Sequence, residues 1–263
     1  MKEGKISVVV MVVKLGLLLG AMVGSILPGQ EVDTTASAGI HAPYDEILQK
    51  YVVGTRFDYE AISKNPADLE KLHGYVDFLE TLNPEEMSRN DALAYWINLY
   101  NAATLELVLK NYPVKSIKAI GWYIFSPWEK NVVKVNGQWL TLNQIENEII
   151  RPRFKDARIH FALNCASIGC PPLANHAYVG AKLDQQLDAA VRRALNDEHW
   201  VRVETDRILL TAIFNWYQQD FVEYAGSVRQ FIARYREKDK QAILDESRPL
   251  EYMDYNWNLN KVE

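Results

Sequence analysis

Cysteine is nearly absent from this chain, with only Cys165 and Cys170 in 263 residues. A disulfide framework is thereby excluded. No other cluster of His and Cys has metal-ligand spacing, which argues against a zinc centre, and no motif calls for a cofactor. Basic runs and stripes are missing too. The net charge is −5 and the pI about 5.6, so nucleic acid is not an expected partner. The sequence has no internal repeat, low-complexity tract or long linker. What is present is an ordinary globular mixture, 48% hydrophobic and 24% charged. The length implies one good-sized domain whose core needs neither disulfide nor metal. Seven Trp and fourteen Tyr suit either a core of large rings or a cleft lined with them.

The N-terminus has a different character. Lys2 and Lys5 precede an apolar run from Ile6 to Leu27, broken only by Lys14 and closed by Pro28–Gly29. An A-x-A-like site follows at Ala36–Ser37–Ala38. Together these make the pattern of a secretory signal peptide, and the run is close to the length that spans a bilayer. Residues 1–38 are therefore expected to be a signal peptide or an N-terminal anchor, and 39–263 a single globular domain. The protein is expected in the periplasm or secreted, touching a membrane only through that segment. No cysteine lies near the leader, which excludes a diacylated lipoprotein anchor. Export would permit a disulfide between Cys165 and Cys170, although so short a loop gains little from closure.

Along the mature chain, Tyr44–Val53 and Pro66–Leu82 read as helices, the second with Asn65 as N-cap and Pro66 in its first turn. The stretch from Arg89 to Pro113 has one charge, Glu106, between Ala92 and Leu109. A helix apolar on nearly all sides is a buried helix. Asn98 and Asn101 share one of its faces. Buried amides need partners, so they either brace neighbouring loops or line a polar site. Asn136–Gly137 between VVKV and QWLTL predicts a hairpin with a type I′ turn. Thr141 and Gln144 form a candidate capping box for a short helix that carries Glu146 and stops before Pro152. RIHFAL, 158–163, reads as a strand and 164–172 as a loop. A helix over Ala181–Asn196, a hairpin of WVRVE with RILLT, and helices in AIFNWYQQDF and SVRQFIARYR complete the pattern. The class is α+β, an antiparallel or mixed sheet with helices around it and one buried central helix.

A loop after a rigid element is a usual place for a reactive group, and it holds Cys165. A thiol attacks as thiolate, which a His can generate and a carboxylate can orient. His160 is the nearest base and Glu146 the nearest upstream carboxylate. Strand alternation turns Cys165 away from the His160 face, so this pair needs the chain to fold back after Asn164. His41, His73, His176 and His199 are the alternative bases. The competing reading is a buried small cysteine beside a core histidine.

Four segments, WINLYNAATLELVL, LTLNQIENEIIRPRFKD, RIHFALNCASIGCPPL and IFNWYQQDF, resemble the uncharacterised family called domain of unknown function 547. The resemblance covers about Leu93 to Phe221, and the closing EYMDYNWNLN is similar to that family's ending. Its marked positions fall on Asn98, Asn101, Glu146, His160 and Cys165. In that respect the site is similar to papain-like and transglutaminase-like cysteine hydrolases, which implies a fold of that kind. Plant members carry serine where Cys170 stands, which favours Cys165 as the functional thiol. Many members read Ile-Glu-His where this chain has Ile145–Glu146–Asn147. The resemblance implies a cysteine hydrolase or acyltransferase with Cys165 as nucleophile, His160 as base and Glu146 orienting it. Asn98, Asn101 and Asn164, or loop N–H groups, would support an oxyanion. The substrate would be a small molecule or peptide with an amide-like bond, such as a gamma-glutamyl compound or cell-wall peptide. The alternative is a ligand-binding or interaction module in which the same cluster is structural.

Overall fold

The apolar stretch 92–108 becomes the axis around which the other elements gather. A computed structural model describes residues 34–121 and 126–263. Most of the predicted leader, 1–33, lies outside the described residues, as does Trp122. Among the described residues no helix is long and apolar enough to cross a membrane.

Helix α1 (Thr34–Tyr51) leads into a two-stranded turn of β1 (Val52–Val53) and β2 (Arg56–Phe57). Helix α2 (Tyr59–Ser63) is capped by Asp58, and α3 (Pro66–Glu80) by Asn65, whose side chain accepts the Asp68 N–H. Helix α4 (Arg89–Leu109) starts at Ser88, and every residue from Ala92 to Val108 in it is buried. The hairpin of β3 (Asn131–Val135) and β4 (Gln138–Thr141) turns at Asn136 and Gly137, both at positive φ. That is the type I′ geometry expected of Asn-Gly. The capping box forms as well. Thr141 N–H donates to Gln144 Oε1, and Gln144 N–H donates to Thr141 Oγ1, both at 3.1 Å.

That box opens a π-helical turn, Gln144–Ile150, which runs straight into α5 (Arg151–Phe154). Pro152 therefore does not lie beyond the helix. Arg151 donates its N–H to the Glu146 carbonyl, five residues back, and this register shift leaves Pro152 in the first turn of α5, where no N–H is needed. Residues 158–163 correct the sequence reading: they form no strand. Asp156 accepts the Arg158 N–H and starts a 3-10 helix, Ala157–Phe161. Short apolar runs carry too little period to separate a strand from a buried helical turn, and here the cap decides.

Helix α6 (Leu183–Leu195) follows, then β5 (Val201–Val203) and β6 (Ile208–Leu210) as the expected hairpin. The stretch read as one helix breaks at Tyr217 into α7 (Ile213–Trp216) and α8 (Gln218–Ala225). After α9 (Val228–Tyr235) and α10 (Lys240–Leu244), strand β7 (Leu250–Tyr252) joins β6 in parallel, making the small sheet mixed. The class is α+β. Its buried apolar residues form two clusters, one around α4 and one around α6, α8 and α9. The 157–161 turn contributes to both, with Ile159 in the first and Phe161 in the second. His160 is thus carried on the seam.

His41 of α1 is 3% exposed, and its Nδ1 is 2.8 Å from the Tyr75 hydroxyl. Burial lowers its pKa from 6.5 to about 4, against a smaller raising influence of Asp91. Between those values the unfolded chain binds a proton that the folded protein refuses. The resulting stability is complete above pH 6.5 and is lost as pH falls toward 4, about 3 kcal/mol in all. Thermal melts across that window are expected to show a falling Tm, with a clearly shallower slope in His41→Gln. Equal slopes would show that His41 is not the group responsible.

Candidate active site

Burying an amide leaves its donors and acceptor in need of partners. On α4 they are found in main chain. Asn98 Nδ2 donates to the Tyr178 carbonyl at 2.7 Å, and the Tyr178 N–H returns to Asn98 Oδ1 at 3.0 Å. Asn101 repeats the pattern one helical turn on. It donates to the Ala162 carbonyl at 2.9 Å and accepts the Asn164 N–H at 2.8 Å. Asn164 donates to the Pro171 carbonyl and accepts the Ala166 N–H, both at 2.9 Å. All three amides are thus committed to shaping loops. None of them lines the cavity described below, and this differs from the expected oxyanion role.

The loop so anchored is held from its other side by residues 255–260. Ile168 and Gly169 donate to the carbonyls of Asn258 and Asn256, and Asn260 donates back to Ala166. Gly169 is required at this approach, because a Cβ there would lie 2.9 Å from ring carbons of Tyr255. Tyr255 thereby reaches both thiols. Its hydroxyl is 3.2 Å from Cys165 Sγ and 3.0 Å from Cys170 Sγ. Ser167 Oγ lies 3.2 Å from Cys165 Sγ and donates to Cys170 at 3.5 Å, and the Cys165 N–H reaches Cys170 Sγ at 3.0 Å.

Both cysteines are free thiols, Cys165 half-buried and Cys170 buried. Burial raises the Cys170 thiol, but hydrogen bonds from the Cys165 thiol, Tyr255, Ser167 and the Cys165 N–H outweigh it and bring it down to about 6. The hydrogen bond with Cys170, and then burial, push Cys165 well above its ordinary value. The two thiols are therefore unlike: the donors around Cys170 favour its ionised form, while ionisation of Cys165 is disfavoured.

His160 is bound to a carboxylate, but that carboxylate is not Glu146. Its Nε2 is 2.7 Å from Asp220 Oδ2. Arg151 grips the same carboxylate with two bonds, Nε to Oδ2 at 2.7 Å and Nη2 to Oδ1 at 2.8 Å. Burial works against the Asp220 charge, but the bonds from Arg151 and His160 hold its carboxyl well below the usual range. Glu146 turns elsewhere. It accepts from Tyr217 Oη at 2.6 Å and Tyr100 Oη at 3.1 Å. The Tyr217 ring in turn stacks on His160, with centroids 3.9 Å apart. No hydrogen bond joins His160 to Cys165 among the described residues.

These groups share one cavity of about 280 Å³. Glu146, His160, Cys165 and Cys170 line it, together with Tyr100, Tyr217 and Tyr255, and Trp128, Trp216 and Trp257 stand along the remaining wall. Asn147 faces the same space and bonds to Asn143 and Arg151. Among the described residues no group of three or more His, Cys, Asp or Glu is placed to hold a metal ion.

Sequence reasoning brought Glu146, His160 and Cys165 into one site and missed Asp220 and Tyr255. Asp220 stands 60 residues from His160 and Tyr255 90 residues from Cys165. No local spacing signals such a pairing. Both nevertheless fall in the quoted segments IFNWYQQDF and EYMDYNWNLN.

Replacing Asn98 with Ala leaves the Tyr178 N–H and carbonyl unpaired in the core. It is expected to lower stability by about 2–4 kcal/mol in urea unfolding. Cys170→Ala removes the neighbour that raises the Cys165 thiol. Cys165 should then be alkylated by iodoacetamide at lower pH than in the parent protein, read by mass spectrometry. An unshifted pH profile would mean the two thiols titrate independently.

No curated protein and no solved structure matches the chain. Residues 84–194, the stretch that carries Glu146, His160 and both cysteines, match the family model described as "Protein of unknown function, DUF547".

Proposed function

We propose that this protein is a cysteine-dependent hydrolase or acyltransferase acting on an amide or peptide-like bond, with Cys165 as nucleophile. The observation that supports the reading is the thiol pair itself. Cys165 opens on a cavity beside a second sulfur, Cys170, whose proton affinity is lowered by the hydrogen-bond donors around it. A small molecule or peptide is the substrate that such a cavity suits.

In this reading the Cys165 proton passes to Cys170 as the Cys165 sulfur bonds to the substrate carbonyl carbon. The carbon–nitrogen bond breaks, and the amine leaves with a proton from the His160 imidazolium. Asp220 fixes that ring through Nε2 and balances its charge, leaving Nδ1 for the exchange. Water or a second nucleophile then gives its proton to His160 and attacks the thioester carbonyl. Release of the acyl product frees Cys165, which recovers its proton from Cys170. The arrangement thus departs from a direct cysteine–histidine pair: one sulfur serves as the first proton acceptor and the imidazole serves the leaving and entering groups.

The test uses p-nitrophenyl acetate as acyl donor, with intact-mass detection of the adduct. Wild-type protein is expected to acetylate at Cys165 and turn over, and Cys165→Ala to do neither while keeping its thermal stability. Asp220→Asn should slow turnover by about 10²-fold or more. Undiminished turnover in Cys165→Ala removes Cys165 as the nucleophile, and absence of both acetylation and turnover in the wild-type protein leaves a ligand-binding module.

A further inference from the structure

Glu146 has no part in the proton transfers above, yet it is placed with care. It is 8% exposed, sits on the π-helical turn, and has each carboxylate oxygen fixed by a tyrosine hydroxyl. π-helical turns often mark functional positions.

Among the described lining residues there is no Lys or Arg. The nearby Arg151 lies over the Tyr217 ring, 4.9 Å from its centroid, but both of its bonds to Asp220 are made. His160 is hydrogen-bonded to that same Asp220. Glu146 and the thiol pair therefore face the cavity with His160, held by Asp220, as the one basic side chain among its described lining residues.

The rest of the wall is aromatic. Trp216, Tyr255 and Trp257 form a continuous group, with centroid separations of 4.5 to 5.8 Å, and Trp128 packs edge-on against Trp257. Trp216 remains 47% exposed, a large apolar ring left open to solvent. Aromatic faces attract organic cations, and more strongly when water is excluded. The protein already shows the attraction: the Lys118 ammonium sits 3.7 Å from the Trp257 ring centroid.

We infer that the cavity binds an organic ammonium group, held between the Glu146 carboxylate and the Trp216–Trp257 wall. This deepens the proposed function and rests on it for the claim that the ammonium belongs to a substrate, either the acyl donor or the amine that accepts the acyl group. Anionic ligands are disfavoured by the same charges.

Binding is measured on the full chain by saturation-transfer NMR titration. The probes are choline, butylammonium, the neutral choline isostere 3,3-dimethylbutan-1-ol, and butyrate. At least one cation should bind saturably, choline more tightly than its isostere by on the order of tenfold, with no binding of butyrate. Glu146→Gln and Trp216→Ala should each weaken the cation by a similar factor. Trp216 is exposed enough for its removal to leave the fold intact, so that variant decides the question if Glu146→Gln misfolds. Equal affinity for choline and its isostere, saturable binding of neither cation, or an unchanged cation affinity in Trp216→Ala overturns the inference. Cys165→Ala is expected to keep cation binding, so loss of the cysteine mechanism and loss of the ammonium site give different results. Faster release of p-nitrophenol with added butylammonium places the cation on the acceptor; simple inhibition places it on the donor.

Discussion

A carboxamide on a buried helix cannot be left without partners, and Asn101 meets that requirement in a way that builds the site. Its donor and acceptor close on Ala162 and Asn164, so the chain after the 157–161 turn can run in only one direction. Asn164 extends the same constraint into the cysteine loop through Ala166 and Pro171. Breaking a bond of this kind costs the desolvation of whatever is left unpaired, which exceeds the net worth of the bond when made. The position of Cys165 is therefore inherited from a buried amide that does not itself line the cavity.

Charge is distributed by a second set of constraints. Arg151, at the end of the π-helical turn, joins α8 through Asp220, and Asp220 joins the seam through His160. Glu146, on the same turn, ties α4 to Tyr217 through two hydroxyls. One short helical segment thus sends a cation to one carboxylate and its own carboxylate to two tyrosines. The π widening matters here, because it changes which residues of the segment face the cavity.

Much of the local structure was legible in the sequence. The Asn136–Gly137 hairpin, the Thr141–Gln144 capping box, the Asn65 cap and the buried character of α4 each depend on residues a few positions apart. Asn98 and Asn101 were legible as amides in need of partners, although which partners was not. The run around His160 was misread because a short apolar stretch serves a strand and a buried turn equally well, and Asp156 settles it only through its own hydrogen bonds. Glu146, His160 and Cys165 were found together because they stand in quoted motifs. Asp220 and Tyr255 were not assigned roles, since their meaning depends on pairings across 60 and 90 residues that no periodicity encodes.

The strap at 255–260 has a consequence for how the protein comes into being. It supplies Tyr255 to both sulfurs and pairs with the main chain from Ala166 to Gly169. A ribosome that has made everything up to residue 250 has therefore produced both thiols without the Tyr255 hydroxyl. The full set of contacts around the two sulfurs forms only when the later residues emerge and dock.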